Sequence, residues 1–94
     1  MRIDRLLCAL RFVRTRGAAQ RLVAGGHVRH NGERVLRPSR AVAVGDVLTL
    51  PIGNAVRLIE VIALPDRRGP AREAAACYRD LDRDGEGSIA ATPS

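Results

Sequence analysis

Asn31-Gly32 sits between two short runs, His27-Val28-Arg29-His30 and Glu33-Arg34-Val35, and restricts the fold more than any other feature of the chain. Both central residues of a type I′ turn need φ > 0, which Asn and Gly tolerate, so the pair specifies a tight hairpin. The segment just before it reads as a short helix. Thr15 is a hydroxyl cap for free amides of its first turn, and Gly25-Gly26 stop it. Ala18, Ala19, Leu22 and Val23 form one side of this helix, while Arg16, Gln20 and Arg21 fall on the other. The order helix, sharp stop, hairpin is therefore fixed locally.

Upstream, Ile3, Leu6, Leu7, Leu10 and Val13 recur at the spacing of one helical stripe, which predicts a helix from about 3 to 12. Arg5, Cys8, Arg11 and Phe12 lie off that stripe. The arginine-rich start has the look of an organelle transit peptide, but its lead into the next helix makes it part of the fold. Downstream, Pro38 marks a loop, Gly45-Asp46 a turn, Val47-Leu50 a strand, Pro51-Asn54 a turn and Val56-Leu64 the longest strand, pairing with 47–50. Arg67-Arg68-Gly69-Pro70 breaks the pattern. Ala71 onward is alanine-rich and predicts a C-terminal helix over 71–82. The expected fold class is α+β: two packed N-terminal helices, a small, mostly antiparallel sheet from 27 to 64, and that last helix.

Ninety-four residues make one domain, and with only Phe12 and Tyr78 as aromatics its core must come from Leu, Val, Ile and Ala. The net charge is +6, unevenly placed: residues 1–40 hold ten Arg against Asp4 and Glu33, and the remainder is net acidic. A one-sided field of this kind points to a polyanion partner for the N-terminal half. Every cation except the amino terminus is Arg. Arg suits bidentate phosphate contacts and stacking, although a GC-rich coding sequence would leave the same bias. Cys8 and Cys77 have no metal-type spacing and read as free thiols of a reducing cytosol. The longest apolar run falls short of a membrane span, so no membrane partner is expected.

The candidate site is the arginine constellation Arg2, Arg5, Arg11, Arg14, Arg16, Arg21, Arg29, Arg34, Arg37 and Arg40. A charge run is usually a solvated surface; here only two acids interleave, and the arginines fall on the polar sides of two adjoining helices and a hairpin, which favours phosphate binding. Arg16 is the focal residue, either forking onto a phosphate beside Gln20 at a helix N-terminus or pairing with Asp4 across the helix contact. His27 and His30 cannot jointly hold a metal, because positions i and i+3 of a strand face opposite sides. Asp80-Leu81-Asp82-Arg83-Asp84-Gly85 imitates the start of a calcium loop, but its twelfth position is Ala91 rather than Glu. No catalytic constellation stands at usable spacing, so neither an enzyme nor a cofactor is expected.

The pattern R-I-D-R-L-L…T-R-G-A-A-Q-R-L-V…G-H-V-R-H-N-G…P-S…G-D-V-L resembles the RNA-binding domain named after ribosomal small-subunit protein S-four, over about residues 2–50. The wider layout, with R-R-G-P-A-x-E-A-x-x-x-Y at 67–78, is similar to the ribosome-associated heat-shock proteins of the fifteen-kilodalton class. That class tends to carry tryptophans in its first helix, where this chain has Leu6 and Cys8. The resemblance implies a helix-helix-hairpin RNA-binding surface of the alpha-L type within an RNA-binding domain at 1–64, a helical extension at 65–82 and a flexible acidic tail at 83–94. Its RNA-facing positions are matched by Arg5, Arg11, Arg14, Thr15, Arg16 and Gln20, and on the hairpin side by Asn31, Arg34, Ser39 and Arg40; Arg2, Arg21 and His27 complete the candidate set. The expected partners are RNA, namely rRNA of the large ribosomal subunit and tRNA of a blocked nascent-chain complex, in the cytoplasm and with the protein as a monomer. A helix-turn-helix-like DNA-binding regulator is the alternative, but a simple DNA reader does not require the hairpin.

Overall fold

The structure is a computed structural model that describes residues 1–81. Its elements are α1 (Ile3–Ala9), α2 (Arg16–Ala24), β1 (Val28–His30), β2 (Glu33–Val35), β3 (Val47–Ile52), β4 (Ala55–Val61), α3 (Ala71–Ala75) and β5 (Tyr78–Asp80). The strands form one antiparallel sheet in the order β2-β1-β3-β4-β5. Ile3, Leu6, Leu7, Leu10, Ala19 and Val23 from the helices meet Val28, Val35, Leu48, Leu50, Ile59 and Val61 from the sheet in a single apolar cluster. Burying each large aliphatic side chain contributes roughly 1.5–3 kcal/mol. The expected α+β class and the stripe that motivated it are both present.

The hairpin is as Asn31-Gly32 dictates, with φ of 52° and 83° at the two turn residues and Val28 opposite Val35. The cap is also as expected: the Thr15 hydroxyl accepts from the Ala18 amide at 3.0 Å. α2 ends where Gly26 takes φ 79° and its amide reaches the Val23 carbonyl.

α1 is shorter than its stripe suggests. Arg11 adopts φ 67°, its amide bonds to the Cys8 carbonyl and the Phe12 amide to the Leu7 carbonyl, which is a Schellman stop with Arg where glycine is usual. The amino end of α1 has no side-chain cap from Arg2. The loop after β2 serves instead, its Arg40 and Pro38 carbonyls accepting from the Ile3 and Asp4 amides at 2.8 and 3.2 Å. That capping places Arg40 beside the start of α1.

The C-terminal helix expected over 71–82 is corrected to five residues. Beyond Ala75 the chain turns and Tyr78–Asp80 pairs with Ile59–Val61 of β4. The free edge of β4 offers ladder hydrogen bonds, and Tyr78 finds Phe12 with ring centroids 4.8 Å apart; together these outweigh the modest helix preference of alanine. Likewise β4 ends at Val61, where the Ile62 and Ala63 amides turn to the Cys77 carbonyl. β3 runs on through Pro51, which lies past the stretch that pairs with β1, so its missing N–H costs no ladder bond. The acidic tail at 83–94 and most of the calcium-like sequence lie outside the described residues; Asp80 within that sequence is bound to Arg57.

Candidate nucleic-acid interface

Asp4 organises the helix side of the site. Its side chain is fully buried at the contact of α1 with α2, which meet through small residues such as Ala19. Arg2 forks onto both carboxylate oxygens, Nε at 3.1 Å and Nη2 at 3.0 Å. Gln20 donates from Nε2 at 3.1 Å, the Arg5 amide at 2.7 Å and Arg16 Nε at 3.5 Å. Burial pushes the Asp4 carboxyl up, but the Gln20 amide, the Arg2 guanidinium and the Arg5 amide together outweigh it and hold the group below its ordinary value. The contact with Arg16 that the sequence allows is therefore made, at the long end of hydrogen-bond range. Arg2 and Arg16 remain 45% and 48% exposed, so each guanidinium keeps donors facing water.

The hairpin side has its own buried centre. His30 donates through Nε2 to Asp46 at 2.7 Å and accepts at Nδ1 from Arg40 Nε at 3.1 Å. An arginine Nε can only donate, which fixes the ring's proton on Nε2. Arg40 continues to Glu33 at 2.8 Å. The Ala43 amide and His30 hold the Asp46 carboxyl below its usual value. Hydrogen bonding and charge from Arg40 do the same for Glu33.

Several candidates have structural duties. The Asn31 amide oxygen accepts from the Val47 amide at 2.8 Å, and the Thr15 hydroxyl serves the cap. Arg11 Nη1 donates to the Gly69 carbonyl at 2.9 Å. His27 packs on Gly25, where an added Cβ would come within 2.8 Å of its ring, and the Arg34 stem lies over Gly26. Arg5, Arg14, Arg21 and Ser39 are exposed. The sequence therefore marks two groups: Arg2, Arg5, Arg16 and Gln20 gathered at α1 and α2, and Asn31, Arg34, Ser39 and Arg40 around the hairpin and the following loop. Arg67 and Arg68 were not among the candidates, yet both line a cleft with Arg5 and Arg16. Their sequence signal reads as a break and as part of the family-like segment, not as a contribution to the binding surface. Among the described residues no group of three or more His, Cys, Asp or Glu could hold a metal ion, and no helix is long and apolar enough to cross a membrane.

Two short helices against a twisted hairpin, with a cationic corner around one buried carboxylate, define a small basic binding module. Residues 1–48 match the family model described as the S4 domain. The chain belongs to the S4-domain family and, within it, to the heat shock protein 15 group. It is 41% identical over 80 residues to heat shock protein 15 of Escherichia coli K12, covering 85% of this chain and 59% of that protein. The homologue from Haemophilus influenzae is 38% identical over 82 residues, covering 87% and 62%. The small ribosomal subunit protein uS4 of Anaeromyxobacter sp. strain K is 35% identical over 98 residues, covering 44% of its own length. The chain thus spans about three fifths of the length of the heat-shock relatives. The trimeric structure of Vibrio cholerae heat shock protein 15 superposes with a TM-score of 0.84 at 33% identity, covering 97% of this chain and 96% of that one.

Proposed function

We propose that the chain is a non-catalytic RNA-binding protein of the cytoplasm that recognises structured rRNA of the large ribosomal subunit and acts there as a heat-shock factor on blocked nascent-chain complexes. The observation that carries this reading is the gathering of the Arg2 and Arg16 guanidiniums around the buried carboxylate of Asp4 where α1 meets the start of α2, with Arg5 lining the same cleft as Arg16. Free amides and the positive end of the helix dipole there favour an anion, and the half-exposed guanidiniums supply forks for phosphate oxygens. The S4-domain match and the heat-shock and ribosomal relatives support RNA over DNA as the polyanion.

Fluorescence anisotropy with a large-subunit rRNA fragment and duplex DNA as competitor tests the first part. With about five arginines on phosphates, log affinity should fall against log salt with a slope of roughly −3 to −5. Equal competition by duplex DNA would instead favour the helix-turn-helix reading. Co-sedimentation with large subunits, with and without bound peptidyl-tRNA, tests the second part. Sedimentation velocity decides between the 10.2 kDa monomer expected from the sequence and a trimer like that of the V. cholerae relative.

A further inference from the structure

The connection between β4 and α3 does more than link them. It is fastened to the end of α1 from both sides, Arg68 Nε donating to the Cys8 carbonyl at 3.2 Å and Arg11 Nη1 to the Gly69 carbonyl at 2.9 Å. Beside this fastening lies an open cleft of about 260 Å³, lined by Arg5, Arg16, Arg67 and Arg68 together with Cys8 and Asp66. Four arginines from three separate segments thus line one opening with a single acidic residue, Asp66. Arg16 is shared with Asp4 at 3.5 Å, and Arg68 with a carbonyl. Among the described residues, Arg5 and Arg67 have no side-chain hydrogen bond or ion pair within the chain. Like charges gathered at one opening repel unless an anion sits between them. No aromatic side chain lines the opening, so nothing there would stack a base, and guanidinium forks match phosphate oxygens. Arg16 is also the first residue of a nine-residue helix, whose unpaired amides add to the positive potential.

We propose that this cleft is a phosphate site, occupied by one phosphodiester of the bound RNA, with Arg67 and Arg68 holding it from the linker side and Arg5 and Arg16 from the helices. The inference rests on the RNA-binding reading above and extends the interface beyond residues 1–48, onto a segment that reaches the site only through the fold.

The test uses the full chain and the same rRNA fragment. Arg67→Ala removes a guanidinium that holds nothing else among the described residues, so it should weaken binding about tenfold and make the salt slope shallower by roughly 0.7–0.9. Arg67→Lys should recover part of the affinity and the slope. Arg72→Ala, on the exposed side of α3, should change neither. Bound RNA should also slow alkylation of Cys8 by iodoacetamide while leaving Cys77 unchanged. If wild-type protein binds the RNA and Arg34→Ala weakens it, but Arg67→Ala alters neither affinity nor slope and Cys8 reacts at the same rate, the cleft is not a phosphate site and the RNA-binding reading stands. If wild-type protein does not bind the RNA, both fail.

Discussion

The Gln20 amide donates to the Asp4 carboxylate at 3.1 Å, joining α2 to α1 through a side chain that is fully buried. The link gives Gln20 a structural duty at the helix contact, while the residue itself stays exposed. It also explains how arginines can crowd this corner: the carboxylate neutralises part of their charge at the point of closest approach. Asp4→Asn should therefore destabilise the fold by about 3 kcal/mol, the low end for breaking a buried pair, because Arg2 and Arg16 can still turn to water. Urea unfolding should show a lower midpoint with an unchanged slope. A loss under about 1 kcal/mol, the scale of an exposed pair, would show that the carboxylate does not organise the helix contact.

Acid should unfold the protein through the same groups. The Asp4 and Asp46 carboxyls lie below their ordinary value of 3.8, and Glu33 below 4.5. Each binds its proton less readily when folded than when unfolded, so its stabilisation is complete above the ordinary value and is lost as pH falls through the lower folded value. Stability measured by urea midpoint should stay level on the carboxylate account above about pH 5 and decline steadily below pH 4. In Asp4→Asn the acid decline should be smaller. An equally steep decline in that variant would place the acid-sensitive groups elsewhere.

Legibility followed the distance over which each feature is decided. The Asn31-Gly32 hairpin, the Thr15 cap and the Gly25-Gly26 stop are each settled within a few residues, and all three could be read directly. The end of α1 could not, because Arg11 occupies a position where glycine would have signalled the stop. β5 was hidden for the opposite reason: Ala71–Ala76 carries a real helix preference, and only the waiting edge of β4 and the Phe12 ring draw Tyr78–Asp80 out of it. In the site, charge was legible residue by residue. Which guanidiniums are already engaged was not, since the Asp4 and His30 partners are brought in by tertiary contacts, and Arg67-Arg68 arrive from a segment that carries no periodicity.

The C-terminal strand should depend on a second ion pair. Arg57 Nη2 reaches both Asp80 oxygens at 2.7 and 3.0 Å, and its guanidinium lies 5.2 Å from the Phe12 ring centre and 5.7 Å from that of Tyr78. The hydrogen bond to Asp80 raises the Arg57 pKa above its ordinary value. Asp80→Ala should cost about 1.5–3 kcal/mol, the range for charged hydrogen bonds. Hydrogen exchange should quicken at the Leu81 amide, which bonds to the Leu58 carbonyl at 2.7 Å, before it does in the β1-β2 hairpin. Uniform acceleration across the sheet would instead mean that β5 unfolds only with the whole domain.

Arg16 provides the sharpest separation of binding from folding. Its Nε sits 3.5 Å from Asp4, half of its side chain is exposed, and Arg2 and Gln20 make the closer contacts to the carboxylate. Removing it leaves Asp4 with those partners and the Arg5 amide, so Arg16→Ala should retain the fold, with a stability loss within about 1 kcal/mol. At the first turn of α2 the same guanidinium faces the region where amides and dipole already favour phosphate, and its loss should weaken rRNA binding by about 1–3 kcal/mol. Arg79→Ala is the matched control. Arg79 pairs with Glu60 on β4, and its side chain alternates with the inward-facing Tyr78 and Asp80, so it points away from the face that the helices cover. Anisotropy on both variants, alongside urea midpoints, distinguishes the cases. Unchanged affinity in Arg16→Ala with strong loss in Arg79→Ala would put the RNA on the open face of the sheet and remove α2 from the interface.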